Sequence, residues 1–236
     1  MRRLWRGWII FGVFIPVMGF SQTISLGLGG GFLAVQGHSF YTDPVGTPGV
    51  YVANGVASEF LGLGLRNEFQ IAGILDLRLP NLPAAITISV DYTFFRGHGN
   101  TFVYENLPTA QLFGTTITIP VQATTKFDLL SMSLGTSVYI AQGELSPFVN
   151  LSIQLNHFGE SSNRFEYSTG YWFENKSFDA SNRLGVGVGP GIDFRVMSGI
   201  VTRFTASYNI YNISGRNAGE AELSSVGANV AILYDL

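Results

Sequence analysis

The chain has 236 residues, of which 46% are hydrophobic and only 12% are charged, and its formal net charge is −3. An ordinary soluble domain carries about twice that share of charged residues, and a nucleic-acid-binding protein carries a clustered basic face that this sequence lacks. Cysteine is absent, which excludes a disulfide framework and a thiolate metal site.

The N-terminal segment has the order of a secretory signal peptide. A positively charged start is followed by an apolar run that ends near Phe20, and then by small residues. We predict cleavage after Ser21, so that residues 1–21 are a signal peptide and residues 22–236 form one mature domain. An uncleaved anchor is the alternative, but the apolar run is shorter than the ~20 residues of a spanning helix and Pro16 interrupts it.

The rest of the chain repeatedly places apolar residues at every second position. Successive side chains of a strand point to opposite faces, so this period predicts strands with one apolar face. Eight segments share the pattern, at residues 24–34, 69–79, 86–94, 130–140, 149–155, 184–196, 202–210 and 226–236.

A soluble β-sandwich also has alternating strands, but the connections favour a membrane barrel. Short connections at residues 80–83, 141–146 and 197–199 alternate with long ones, as in outer-membrane barrels with short periplasmic turns and long extracellular loops. The sequence therefore predicts an all-β protein, a transmembrane antiparallel up-and-down barrel of eight strands. An extra hairpin in the second long loop would make ten.

The polar rows carry ionisable residues of both signs, which are expected to form a paired network inside a narrow barrel. An eight-stranded barrel is just wide enough for its own side chains to fill it. The five positive and five negative residues predicted to face the interior are Arg66, Glu68, Asp76, Arg78, Asp91, Arg183, Asp193, Arg195, Arg203 and Asp235.

Three residues do not fit the apolar rows on which they fall. Pro190 would remove a ladder hydrogen bond from the sixth strand, and a bulge there would accommodate it. Lys126 and Asp128 share the row of Leu130. Either a bulge shifts the register or these two residues lie above the hydrocarbon zone, and we expect the second.

The complete pattern resembles the small outer-membrane barrels of the OmpA and OmpX type. The ending Val230-x-Ile232-x-Tyr234-x-Leu236, which follows Gly227, resembles the C-terminal assembly signal of these barrels. Many members end in Phe, whereas this chain ends in Leu. The resemblance implies a multi-pass protein of the Gram-negative outer membrane with both termini in the periplasm. The peptidoglycan-binding domain of OmpA-type proteins is not expected, because the sequence ends with the eighth predicted strand.

The sequence has three histidines, each of which is expected in or beside a different loop. His157 with Glu160 and Ser161, or His38 with Ser39, could serve an outer-membrane lipid-modifying enzyme. Neither set has a spacing that aims two groups at one atom. The sequence therefore predicts no enzyme, no catalytic residues, no cofactor and no metal site.

The third long loop carries the richest surface feature, because exposed Tyr, Trp and Arg side chains dominate binding hot spots. The alternative is that these side chains form an aromatic girdle. The predicted contact surface consists of Arg164, Tyr167, Tyr171, Trp172 and Phe173.

Three functions follow, in this order of preference. The first is a structural or interaction scaffold that presents its loops to an extracellular or envelope protein partner, surrounded by lipopolysaccharide and phospholipid. The second is a narrow porin-like channel or a transporter of small, including apolar, molecules. The third is the lipid-modifying enzyme. The oligomeric state is left open.

Overall fold

A computed structural model of the protein describes residues 23–42, 48–53, 56–80, 82–105, 117–167, 170–216 and 221–236. The predicted signal peptide lies outside these residues. The described elements are β1 (Thr23–Gly37), α1 (Ser39–Thr42), β2 (Pro48–Ala53), β3 (Val56–Leu61), β4 (Asn67–Arg78), β5 (Ala84–Glu105), β6 (Ile117–Tyr139), β7 (Leu145–Phe158), β8 (Ser161–Tyr167), β9 (Trp172–Phe178), β10 (Ser181–Met197), β11 (Ile200–Ser214) and β12 (Leu223–Asp235). Among the described residues, no helix is long and apolar enough to cross a membrane.

Eight of these strands form a closed antiparallel barrel in the order β5-β4-β1-β12-β11-β10-β7-β6, and β6 pairs with β5 to complete the ring. The first and last strands pair along almost their full length, from Ser25↔Asp235 to Gly37↔Leu223. The prediction of an eight-stranded up-and-down barrel is confirmed. The ten-stranded alternative is wrong, because the ring closes with eight and the described residues of the second loop prolong β5 and β6 themselves.

The apolar rows face outward, as predicted from their period. They form an exposed belt around the barrel, in which Leu28 is 77% exposed, Phe32 67% and Ile153 65%. A soluble protein would bury such a surface, whereas lipid tails solvate it. Between these rows, the inward positions of the wall hold mostly Gly, Ser, Thr, Asn and Gln.

The barrel has two different ends. The short-turn end carries the connections at residues 79–83, 140–144 and 198–199, together with the described ends of the chain. The long-loop end carries the other connections, including the β2–β3 and β8–β9 hairpins.

One side of the barrel wall continues beyond the belt as a four-stranded sheet. β7 pairs with the lower part of β6, and β8 pairs with the upper part, from Val121↔Tyr167 to Lys126↔Ser162. The register against β6 shifts by one residue between β7 and β8, which means that one extra residue is inserted there. At this point the Gly159 N–H donates to the Asp128 carbonyl at 2.7 Å. The junction is therefore a bulge, and β7 and β8 form one long strand. We call residues 95–105, 117–127, 161–167 and 172–178 the upper sheet.

Lys126 and Asp128 lie at the base of the upper sheet and not within the belt. The register between β5 and β6 is unbroken from Ala84↔Val138 to Glu105↔Ile117, which excludes a bulge between these two strands. On the outer face, Asp128 forms an ion pair with Arg96 at 3.0 Å. The register excludes the bulge between β5 and β6, and the position of these residues above the hydrocarbon zone stays a prediction.

Pro190 is accommodated without the bulge that we considered. Val188↔Tyr208 and Gly191↔Thr205 lie in the same register, so no residue is inserted between them, and Pro190 pairs with Val149 on the other side. The neighbouring Gly189 lets β11 approach closely, because a Cβ atom at this glycine would lie 1.9 Å from the Ala206 carbonyl oxygen.

We expect Gly189→Ala to lower the free energy of unfolding by about 1–3 kcal/mol, because the added methyl group has no room against the β11 backbone. The matched control is Gly73→Ala, where the nearest atom to the new Cβ is 4.0 Å away. We expect that control to stay within roughly 0.5 kcal/mol of the parent protein. Urea unfolding of the barrel in lipid vesicles, followed by tryptophan fluorescence, measures both. Equal effects of the two substitutions would contradict the close approach.

Candidate functional site

The barrel interior contains a buried ion cluster centred on Arg203. Arg203 Nε donates to Asp193 Oδ1 at 2.7 Å, and its Nη2 donates to Asp76 Oδ2 at 2.6 Å. Asp193 is the register partner of Arg203 on the adjacent strand, whereas Asp76 reaches it from β4 on another part of the wall. All three side chains are at least 96% buried. The guanidinium group therefore joins separate strands across the lumen.

Two further side chains complete this arrangement, which we call the ion cluster (Asp76, Arg78, Tyr139, Asp193 and Arg203). The Tyr139 hydroxyl donates to Asp193 Oδ2 at 2.9 Å and accepts from Arg203 Nη2 at 3.0 Å. Arg78 Nη2 lies 3.3 Å from Asp193 Oδ2. Two arginines balance two aspartates, so the cluster is electrically neutral.

The ion cluster obstructs the lumen, and a second barrier lies toward the long-loop end. The segment between β3 and β4 folds over the barrel, where Leu63 and Leu65 are fully buried. Hydrogen bonds hold it there: the Leu65 N–H donates to the Tyr41 carbonyl at 2.8 Å, and the Val35 N–H donates to the Arg66 carbonyl at 2.7 Å. We call this barrier the apolar plug, and it consists of Leu33, Val35, Tyr41, Leu63, Leu65, Phe95, Phe127, Leu129, Phe158, Tyr211, Ala221 and Leu223.

A polar chamber of about 120 Å³ lies between the apolar plug and the ion cluster. Tyr211 lines its upper side, and Arg203 and Phe148 line its lower side. Its wall carries serine and threonine hydroxyls, amide groups and one carboxylate, that of Asp91. Asp91 accepts hydrogen bonds from Gln70 Nε2, at 2.8 Å, and from the Ser89 hydroxyl.

The ten residues predicted to form the interior charge network are not all brought together. Beyond the ion cluster, Arg195 lies 4.0 Å from Asp235 at the short-turn end, where the arginine side chain is half-exposed. Buried Arg183 lies against the Phe158 ring, and Glu68 accepts from the Arg96 backbone N–H at 3.0 Å.

The placement of Arg66 inside the barrel is wrong. Its side chain is exposed, because Arg66 precedes the first residue of β4 and therefore does not follow the alternation of that strand.

The predictions missed the apolar plug and Tyr139. The signal for Tyr139, Phe95, Phe127 and Phe158 was present in the sequence, since these aromatic residues fall on the polar row at either end of a strand. Leu63 and Leu65 lie outside the eight segments predicted as strands, although they alternate with glycines.

The His157 grouping has no catalytic geometry, and the side chain of Ser39, the partner predicted for His38, lies outside the described part of the structure. His157 is exposed on the outer face, and its Nδ1 lies 2.8 Å from Asn182 Oδ1. Ser161 is fully buried on the inner face, so the wall separates it from His157. Among the described residues, no group of three or more His, Asp or Glu side chains is placed to hold a metal ion.

The predicted contact surface lies on the β8–β9 hairpin of the upper sheet. The Arg164 guanidinium lies over the Trp172 ring, 4.5 Å from its centroid, and also 3.4 Å from Glu166. Tyr171, at the tip, is 67% exposed. The side chains of Tyr167 and Phe173 lie outside the described part of the structure.

A closed antiparallel ring of eight strands with an apolar belt defines the class of small outer-membrane β-barrel proteins.

No family model matches the chain, and no curated protein matches its sequence. Solved structures similar to it include Neisserial surface protein A, with 10% identity, a TM-score of 0.48 and coverage of 92% of this chain and 100% of the other. A major outer membrane protein from Thermus thermophilus has 11% identity, a TM-score of 0.47 and the same coverage. The outer membrane protein OprG from Pseudomonas aeruginosa has 10% identity and a TM-score of 0.43, with 90% and 95% coverage.

We expect Arg203→Met to lower the free energy of unfolding by about 3–5 kcal/mol, because it leaves two buried carboxylates without a cation. The matched control is Arg195→Met, which removes a half-exposed arginine and is expected to cost less than about 1 kcal/mol. Urea unfolding in lipid vesicles gives both values. An Arg203 variant as stable as the Arg195 variant would show that the ion cluster is not a stabilising element.

Proposed function

We propose that the protein is a closed, non-conducting scaffold of the outer membrane that holds the upper sheet outside the cell for contact with an extracellular or envelope protein. It is not an enzyme, and its interior serves stability. The observation that carries this proposal is the double closure of the lumen. The ion cluster and the apolar plug lie in series. The plug consists of buried side chains, and the cluster is buried except for Arg78, which is 25% exposed.

The geometry at the short-turn end favours this function over transport. A cavity of about 560 Å³ opens there, and its lining includes Arg78 and Tyr139 of the ion cluster. A solute entering this mouth meets paired charges whose separation would leave buried ions uncompensated. The described interior therefore supports a blind vestibule and not a pathway.

The upper sheet supports the interaction part of the proposal. Its outer face presents Arg164 and Trp172 in a stacked pair, and Tyr171 projects at the tip. Because hydrogen-bonded strands continue from the belt into this sheet, the pair is held in place before a partner arrives, which reduces the entropy cost of binding. The belt itself contacts lipopolysaccharide and phospholipid.

We expect the purified barrel, inserted in a planar bilayer, to give no steady conductance steps, because both barriers are intact in the folded protein. Circular dichroism and resistance to urea verify that the inserted protein is folded, and a porin inserted under the same conditions verifies that the assay detects open channels. Reproducible steps from folded protein would replace this proposal with the transport function.

The proposed orientation places the short turns and both chain ends in the periplasm and the upper sheet outside the cell. Since the chain has no cysteine, single-cysteine variants report position without background. We expect Tyr171→Cys to react with a membrane-impermeant maleimide on intact cells. Gln142→Cys, in a short turn, should react only after the outer membrane is permeabilised. The reverse pattern would overturn the orientation and, with it, the extracellular contact surface.

A further inference from the structure

Among the described residues that line the polar chamber, Asp91 supplies the one carboxylate, and its hydrogen-bond partners are neutral. Its hydrogen bonds come from the Gln70 amide and the Ser89 hydroxyl. Asp76 and Asp193 are bonded to Arg203, and Asp235 lies near Arg195. The Asp91 side chain is half-buried, and inside the lumen its charge needs a counter-charge, water or a proton.

The interior charges do not cancel once Arg66 is placed outside the barrel. Of the ten predicted residues, nine remain: four arginines at positions 78, 183, 195 and 203, and five acids at positions 68, 76, 91, 193 and 235. Their sum is one negative charge. Since the ion cluster is neutral by itself, it has no positive charge to spare for the polar chamber above it.

The polar chamber also contains amide oxygens that accept no hydrogen bond from any described residue. They are Gln70 Oε1, Gln154 Oε1 and Asn229 Oδ1. The amide nitrogens of the two glutamines already donate hydrogen bonds: Gln70 Nε2 donates to Asp91, and Gln154 Nε2 donates to Asn209 Oδ1, each at 2.8 Å. Both glutamines are at least 91% buried, so the oxygens need a partner within the chamber.

The chemistry of these groups selects one class of ligand. Carboxylate, amide and hydroxyl oxygens are hard donors, which suit alkali and alkaline-earth cations, and the chamber lining includes no histidine, methionine or cysteine. The one carboxylate in the lining matches a monovalent ion. The volume of about 120 Å³ equals about four times the ~30 Å³ that a water molecule occupies in the liquid, enough for one ion and a few waters.

We propose that the polar chamber is a binding site for one alkali-metal cation, Na⁺ or K⁺, in which the Asp91 carboxylate and the amide oxygens of Gln70, Gln154 and Asn229 coordinate the ion directly or through water. The apolar plug and the ion cluster flank the chamber, so a bound ion has to pass one of these two barriers to exchange with the solution, and we expect this exchange to be slow.

The test compares protein folded with and without alkali ions. Protein purified from membranes is unfolded in urea and refolded into detergent micelles in choline chloride, NaCl or KCl at equal ionic strength. After desalting, elemental analysis is expected to find about one alkali ion per chain in the NaCl or KCl sample and none in the choline sample. The urea midpoint should be lowest in choline, because bound cation stabilises the folded state.

Asp91→Asn should retain no ion and should have the same urea midpoint in all three salts. The matched control is Asp128→Asn, which removes a carboxylate from the outer face and should keep both the bound ion and the salt difference. If Asp91→Asn does not fold, Ser133→Lys replaces it. The Ser133 hydroxyl lies 2.8 Å from that of Ser89, so a lysine ammonium at this position can take the place of the cation.

Two results would overturn the site. One is parent protein that carries no alkali ion and unfolds at the same urea concentration in every salt, which would mean that Asp91 is neutralised by a proton. The other is an ion retained equally by the parent protein and by the folded Asp91 or Ser133 variant, which would place that ion elsewhere.

Discussion

The pairing of β1 with β12 is the constraint on which the rest of the structure depends. In a hydrocarbon layer no water satisfies a strand edge, so every N–H and carbonyl group of the spanning wall needs a partner in the wall. Joining the two ends of the sheet removes both edges together. Closure with eight strands then sets the radius, and the radius leaves a lumen that side chains have to fill.

Filling that lumen explains the arrangement of the interior. Apolar residues are available at the long-loop end, where the segment before β4 supplies Leu63 and Leu65 from outside the wall. Toward the short-turn end, the wall itself supplies charges, and these are stable because Arg203 bridges carboxylates from different strands. The polar chamber lies between the apolar packing at one end and the ion pairs at the other, and its lining is completed by neither.

The periodicity of the sequence predicted the barrel, the number of strands and the outward belt, because a period of two is a local property that survives in the folded wall. The apolar plug could not be predicted, since Leu63 contributes through contacts with residues far away in the chain. Arg66 was misplaced because the alternation of β4 was extended past the start of that strand.

The residues of the candidate site were also easier to predict than the hydrogen bonds between them. The polar rows identified Asp76, Asp193 and Arg203 as interior residues, but not that Asp76 and Arg203, which are 127 positions apart, share a hydrogen bond. Such pairings depend on the stagger of the closed sheet, which alternation alone does not specify. The same holds for the junction of β7 and β8, where a single-residue bulge turns two segments into one strand.

The continuity of the upper sheet with the barrel has a mechanical consequence. β5 has 22 residues and β6 has 23, so each is roughly 75 Å long, and more than half of that length lies beyond what a spanning strand needs. A force applied at the β8–β9 tip and directed away from the membrane acts parallel to these strands. It therefore loads many ladder hydrogen bonds at once in shear, instead of peeling them apart one by one. The sheet therefore transmits tension to the membrane-embedded barrel with little extension, whereas flexible loops would extend before they transmitted the same force.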